Sequence, residues 1–276
     1  RGGYMHDDAE EPACVHHAFA RAKTLVEYER SGLASASASG TEMPRERTYG
    51  AKHFPTIDTH LVSIGPWRAT VSANDAFNLN ARRSAAVSGG TMSMLWHEAL
   101  GPVFVGTLGE YFYAEAHNMQ DDRHDMKMHC LAPRILRDKH SNIFDYESET
   151  KGEMRGEAFV YSAKGRLTAP TGGKSAAYEL GYCLEAKGLT IEASCADRAA
   201  RYVIPLVAGA NDRVTVEGAV ATVERRGRKL TLTATAPLAL DPCDRGGRIW
   251  SPASGMLCAP LSVSLEKPVK LTLTVE

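Results

Sequence analysis

All ten histidines of the 276-residue chain lie at or before His140, so any imidazole chemistry belongs to its first half. The run richest in chemistry is Tyr111-Phe112-Tyr113-Ala114-Glu115-Ala116-His117. Strand side chains alternate, which puts Tyr111, Tyr113, Glu115 and His117 on one face. Such a face suits sugars: rings stack on apolar sugar faces, while a carboxylate, a phenol and an imidazole bind hydroxyls or move protons. The same pattern also fits the wet side of an antiparallel sheet. His97, in the preceding run Thr91–Glu98, comes near enough to contribute if Gly101-Pro102 and Gly109 turn the chain back. An exposed groove built from these residues is the expectation.

Other chemistries find less support. His97-Glu98 begins like H-E-x-x-H, but Gly101 stands where the second histidine is required. His16-His17 project about 100° apart on a helix, so at most one can face a core. Asp121, Asp122, His124, Asp125 and His129 crowd into DDRHDMKMH, a composition able to hold a divalent ion, although its spacing matches no known loop motif and also fits a solvated loop. There is no P-loop, no G-x-G-x-x-G and no G-x-S-x-G; Gly-Gly at 89, 172 and 246 are isolated turn signals. No cofactor and no metal are expected.

The elements that must position these residues change character near residue 40. Pro12 to Arg30 carries Val15, Ala18, Phe19, Ala22, Leu25 and Val26 at helical spacing, behind the acidic residues Asp7, Asp8, Glu10 and Glu11. One amphipathic helix cannot bury its own stripe, and Arg1 is not a start methionine, so the helix reads as the last of a larger helical domain. SGLASASASG at 31–40 reads as a flexible linker. Short strands follow from Thr59: Leu61–Ile64, Trp67–Val71, Thr91–Glu98, Val103–Leu108 and Tyr111–Ala116. Later come Ala158–Ser162, Tyr178–Leu184, Thr190–Cys195, Tyr202–Val207 and Val214–Val216. A hairpin of Ala219–Glu224 and Lys229–Thr235 around Arg226-Gly227 follows, and Val269–Val275 ends the chain. The expected fold is all-β: a large, curved antiparallel two-sheet sandwich preceded by one helix. Residues 1–40 form the helix and linker, 41–210 the central sandwich, and 211–276 strands that complete or cap it.

Thirty-two basic and thirty-three acidic side chains leave a net charge of -1, without the basic field that nucleic acid requires. No apolar run is long enough to span a bilayer as a helix. Six cysteines are too dilute for a disulfide framework. Cys183 and Cys195 should sit offset across a hairpin centred near Gly188. Cys243 and Cys258 flank a Gly/Ser/Pro-rich loop, where a bridge would stabilise by roughly 3 kcal/mol on the chain-entropy model. They should lie close enough to bridge if the protein is exported; buried free thiols are the other reading.

Several segments, in order, resemble the C-terminal part of heparinase II/III-like proteins. They are His16-His17-Ala18-Phe19 with Ala22-Lys23, Gly65-Pro66-Trp67-Arg68-Ala69-Thr70-Val71 with Asn74-Asp75, Gly89-Gly90, Leu95-Trp96-His97, Gly101-Pro102, Asn118-Met119-Gln120 and Cys130-Leu131-Ala132-Pro133-Arg134-Ile135. The resemblance covers roughly residues 4 to 150 and implies an (α/α) toroid followed by a β-sandwich, in enzymes that depolymerise uronic-acid polysaccharides by β-elimination. It implies a cleft-facing tyrosine or histidine as acid or base without identifying it by motif; the strand-face reading offers His97, Tyr111 or Tyr113, with Trp67, Glu115, His117 and Arg134 taken toward substrate. The family's zinc site departs at Ser72-Ala73-Asn74, where histidines would precede Asp75. Were zinc present, His53, His60, His97 and Asp75 would be the first ligands to examine. The implied partners are an acidic polysaccharide or oligosaccharide and an upstream helical domain, with no nucleic acid and no membrane. The implied location is secreted or periplasmic. Two other readings are a carbohydrate-binding or scaffold sandwich without chemistry, and a mutarotase-like sugar-active enzyme with a converging His/Glu pair.

Overall fold

Period-two alternation builds the first sheet. In Trp67–Ser72, Trp67, Ala69 and Val71 are buried, while Arg68, Thr70 and Ser72 are half-buried. That segment is β3 of a five-stranded antiparallel sheet in sequence order, with β1 (Gly50–Phe54), β2 (Thr59–Ile64), β4 (Thr91–His97) and β5 (Gly101–Val105). The computed structural model describes residues 23–24, 26–27, 47–73, 87–106, 130–243, 247–251 and 256–276. Residues 48–112 and 125–276 form one compact unit, and residues 1–47 with 113–124 form another. In the latter, residues 23–24 and 26–27 are helical; the rest of the expected Pro12–Arg30 helix lies outside the described residues.

The second sheet has fourteen strands, all paired antiparallel among the described residues. Its first half comprises β6 (Arg134–Arg137), β7 (His140–Ser141), β8 (Glu149–Arg155), β9 (Ala158–Thr168), β10 (Lys174–Glu185), β11 (Gly188–Cys195) and β12 (Arg201–Val207). Then follow β13 (Arg213–Glu217), β14 (Val220–Arg225), β15 (Arg228–Ala234), β16 (Leu238–Leu240), β17 (Ile249–Ser251), β18 (Met256–Ser264) and β19 (Val269–Val275). The spatial order is β13-β14-β15-β19-β11-β10-β9-β7-β6-β12-β18-β16, with β8 added on β9 and β17 on β18. The last strand thus lies between β15 and β11, and residues beyond 210 continue the large sheet. One core joins both sheets, running from Trp67, Leu95 and Phe104 to Phe159, Tyr182 and Leu261. The fold is the expected two-sheet antiparallel sandwich.

Between β3 and β4 alternation fails at a bulge. Thr70 pairs with Met94 but Val71 pairs with Met92, leaving Ser93 as the extra residue. Met92 is therefore fully buried while Met94 is 39% exposed, although simple alternation gives them one face. Cys183 pairs with Thr190 and Cys195 with Tyr178, offset as expected. Of the two readings for Cys243 and Cys258, the unbridged one holds. Both residues instead pack in a small cluster with Leu131, Val207 and Ile249, and burial pushes the Cys258 thiol up to about 12.

Where the two sheets meet, the join is polar. The buried Asn142 side chain accepts from Ile135 N–H at 2.8 Å and donates to Gly89 O and Thr91 Oγ1, both at 3.1 Å. Ser88 N–H donates to Ile143 O at 2.9 Å, and Tyr178 donates to Gly89 O at 3.2 Å. Gly89 and Gly90, at φ 64° and 73°, are not merely turn residues. A Cβ on Gly89 would lie 1.9 Å from Asn142 O, and one on Gly90 would lie 2.3 Å from Ala163 Cβ. Replacing Asn142 by Ala strands the buried Ile135 N–H and removes one of the two donors to Gly89 O, so the free energy of unfolding should fall by about 1–3 kcal/mol. Urea titration measures this; an unchanged midpoint would show that the amide clamp contributes nothing.

Candidate functional site

The residues singled out by sequence fall into different environments. Trp67 is 1% exposed, and its ring meets His97 edge-on, with centroids 4.5 Å apart at 70°. His97 is itself buried. Its Nδ1 accepts the Ala99 N–H at 3.2 Å, capping the turn between β4 and β5. Neither side chain lines an open groove, which corrects the expectation of a cleft-facing His97 and a sugar-stacking Trp67. The cause is legible afterwards: Trp67 shares its strand face with Ala69 and Val71, and that face is core. Arg134 is half-buried and donates to Cys130 O at 2.9 Å and Ala132 O at 3.0 Å, fastening the chain as it enters β6. Tyr111, Tyr113, Glu115 and His117 lie outside the described residues.

The structure assembles a second group that sequence left scattered. His53 on β1 and His60 on β2 are directly opposed in register, and their rings stack at 4.2 Å and 13°. Pro55–Ile57 forms one 3-10 turn between the strands, ended by Asp58 in the left-handed region at φ 35°, a conformation that aspartate tolerates better than most residues. The Asp58 carboxylate lies 2.9 Å from His53 Nε2 and accepts Thr150 Oγ1 at 2.8 Å. His60 is 5% exposed and sits between Phe159 and Tyr161 of the facing sheet. Its Nε2 lies close to Gly152, and its buried Nδ1 has no partner. Burial, then the neighbouring His53, holds the His60 imidazole below its ordinary value. Donor atoms of His53, Asp58 and His60 lie within 4.8 Å of one another. Gly152 makes room for this arrangement, because a Cβ there would come within 2.7 Å of His60 Nε2. Asp58 and Thr150 were missed in sequence; the signal available was H-x4-D-x-H spanning a proline turn.

A groove lies beside Gly50, Ile64, Gly65, Met154, Ala158 and Ala186. Its cationic rim is neutralised within itself, since Arg155 pairs with Glu153 and Lys187 with Glu185. No net attraction for a polyanion follows from those pairs.

Among known proteins, the family of the ulvan lyase C-terminal domain matches residues 51–276. A broad-specificity ulvan lyase of Formosa agariphila is 27% identical over 98% of this chain. The chain spans 44% of that relative's length. Solved structures of similar outline include a putative aldose 1-epimerase of Escherichia coli, at TM-score 0.40 and 11% identity, over 78% of this chain and 98% of that one. Another is a 4-alpha-glucanotransferase from Thermococcus litoralis, at TM-score 0.44 and 11% identity, over 84% of this chain and 40% of that one. No activity follows from likeness at that level.

The interior position of His97 has two measurable consequences. Replacement by Ala should lower stability by about 1–3 kcal/mol in urea titration, where a surface catalytic residue would leave it nearly unchanged. Burial is the main cause that lowers the His97 pKa, with Arg228 adding to it and Glu98 opposing. The unfolded chain takes up this proton near pH 6.5, and the folded chain only below that. The unfolded state therefore binds more protons in the window beneath about pH 6.5, and stability falls as pH drops through it. His97→Asn should flatten part of that fall; a variant with the parent's slope would contradict the assignment.

Proposed function

Because the chain belongs to the ulvan lyase C-terminal domain family, we propose that it is the β-sandwich part of a polysaccharide lyase that cuts uronic-acid polymers by β-elimination. The family match across 51–276 carries this reading. The ulvan lyase of Formosa agariphila, aligned over almost the whole chain, makes ulvan the first substrate to try. The resemblance to heparinase II/III-like proteins supplies the mechanism.

In that chemistry a base removes the C5 proton, which the neighbouring carboxylate acidifies. The C–H electron pair forms the C4=C5 double bond as the C4–O bond breaks, and an acid protonates the departing oxygen. A group that neutralises the uronate carboxylate lowers the barrier further. We assign acid or base work to Tyr111 or Tyr113, with Glu115, His117 and Arg134 toward the sugar. An upstream helical domain would supply the neutralising group, and the protein would work secreted or in the periplasm, where such polymers are met. His97 takes a positioning role, holding the turn into β5, the strand that precedes this segment. A second reading, a carbohydrate-binding sandwich without chemistry, is favoured by one observation: Trp67 and His97 face the interior.

Elimination and hydrolysis differ by one water. Incubating ulvan with the intact polypeptide that carries this sequence should give products with new ultraviolet absorbance and a non-reducing end lighter by one water in mass spectrometry. Tyr113→Phe should lower kcat by about 10²–10⁴-fold. Hydrated products would contradict the reading, and binding without any cut would favour the non-catalytic one.

A further inference from the structure

We propose that Trp96, Arg226 and Arg228 form a binding site for an acidic sugar, where the β14–β15 turn of the large sheet meets the β4–β5 turn of the small one. The inference rests on the lyase reading for the class of its ligand, a uronic-acid chain, and adds a second hold on that chain away from the segment after β5. An indole offers a flat apolar surface to a sugar ring, and guanidinium forks match a carboxylate.

Three observations point the same way. The first is a surplus of positive charge. Arg225-Arg226-Gly227-Arg228-Lys229 is the densest basic run in the chain, of the kind that meets polyanions, and the turn leaves Arg226, Arg228 and Lys229 exposed. Lys229 stands opposite Glu224 across the hairpin. Arg226 and Arg228 form no ion pair among the described residues, whereas Arg155, Lys164, Lys187 and Arg201 all sit against carboxylates. Glu98 and Asp212 are felt at this end of the fold only as charges beyond ion-pair distance.

The second is convergence. Arg225 and Arg228 are directly opposed and share the hairpin face of the buried Val223 and Leu230. Arg225 crosses to the small sheet, donating to Pro102 O at 2.6 Å and to Val207 O at 3.3 Å, which anchors the turn there. Arg228 is near enough to His97 for its charge to act on the imidazole. A Cβ on Gly101 would lie 3.6 Å from Arg226 Nη1 and 3.9 Å from Trp96 Nε1, so a guanidinium and an indole flank bare backbone. The third is the exposure of Trp96. Its neighbours Leu95 and His97 are buried, but Trp96 is half-buried on the outward face that carries the exposed Met94. β5 leads the chain about 14 Å away from Gly101 before the proposed reaction segment begins, a span that several linked sugars cover. The contacts come from side chains, and the β4 amides are already paired with β3 and β5, so occupancy leaves their exchange unchanged.

The intact polypeptide that carries this sequence is titrated by calorimetry with ulvan, an unsulfated polyuronate and a neutral glucan, in the cold to slow any cutting. Both acidic polymers should bind, more weakly as salt is raised, and the glucan should not. The double variant Arg226→Asn, Arg228→Gln changes two exposed side chains, and asparagine accepts the left-handed backbone at 226. It should weaken binding of both acidic polymers about tenfold with an unchanged circular dichroism spectrum. Trp96→Leu should weaken it too and remove the fluorescence change that the polymer causes in the parent. Arg155→Gln, which takes the same charge from a neutralised pair, should bind like the parent. A double variant that binds like the parent would overturn the site even where the parent cuts the polymer. An equal loss in Arg155→Gln would reduce the attraction to net charge and overturn it as well, as would a parent that binds neither acidic polymer. A parent that binds through these residues yet releases no eliminated product would uphold the site and sink the lyase reading alone.

Discussion

The sandwich depends on a polar seam between its two sheets. Apolar faces alone would let one sheet slide on the other, because burial is roughly proportional to area and indifferent to direction. Asn142 removes that freedom. One side chain bonds Ile135 N–H on β6 of the large sheet and the Gly89–Thr91 segment at the entry to β4. The contact is possible only because Gly89 and Gly90 bring bare backbone against Asn142 and Ala163. Asp145 steadies the turn that carries Asn142, accepting the Arg166 N–H of β9 at 2.9 Å. Bonds of this kind are directional and, being buried, costly to leave unmade.

The histidines are distributed with respect to that frame. His97 fixes the turn that leaves β4, with Trp67 against its ring. His60 reaches across the core to Phe159 and Tyr161 on the facing sheet, and His53 stacks on it from the hairpin partner. Imidazole thus serves the described unit mainly by holding parts together. The acid–base chemistry we propose would fall to the segment after β5 and would not draw on the buried pair.

What the sequence made legible was local. β10 and β11 follow from alternation around a turn, and the hairpin of β14 and β15 was announced by Arg226-Gly227, which take φ 55° and 70° as a tight hairpin turn requires. What escaped was set by distant partners. The bulge at Ser93 turns Met94 outward. The close approach at Gly89 and Gly90 depends on Asn142 and Ala163, some fifty and seventy residues away. β1 was missed because its GAKHF carries little apolar signal and derives its pairing from β2. Trp67 was placed toward substrate, and only the opposing sheet reveals that its face is core.

The central claim is that this family member engages a uronic-acid polymer through the segment after β5, while His97 and Trp67 serve the interior. Hydrogen–deuterium exchange with and without an ulvan oligosaccharide tests it most directly. Added protection should concentrate in peptides within 107–129, with the β3 and β4 peptides unchanged. Protection confined to the β13–β15 end of the large sheet, or no change anywhere at saturating oligosaccharide, would contradict it.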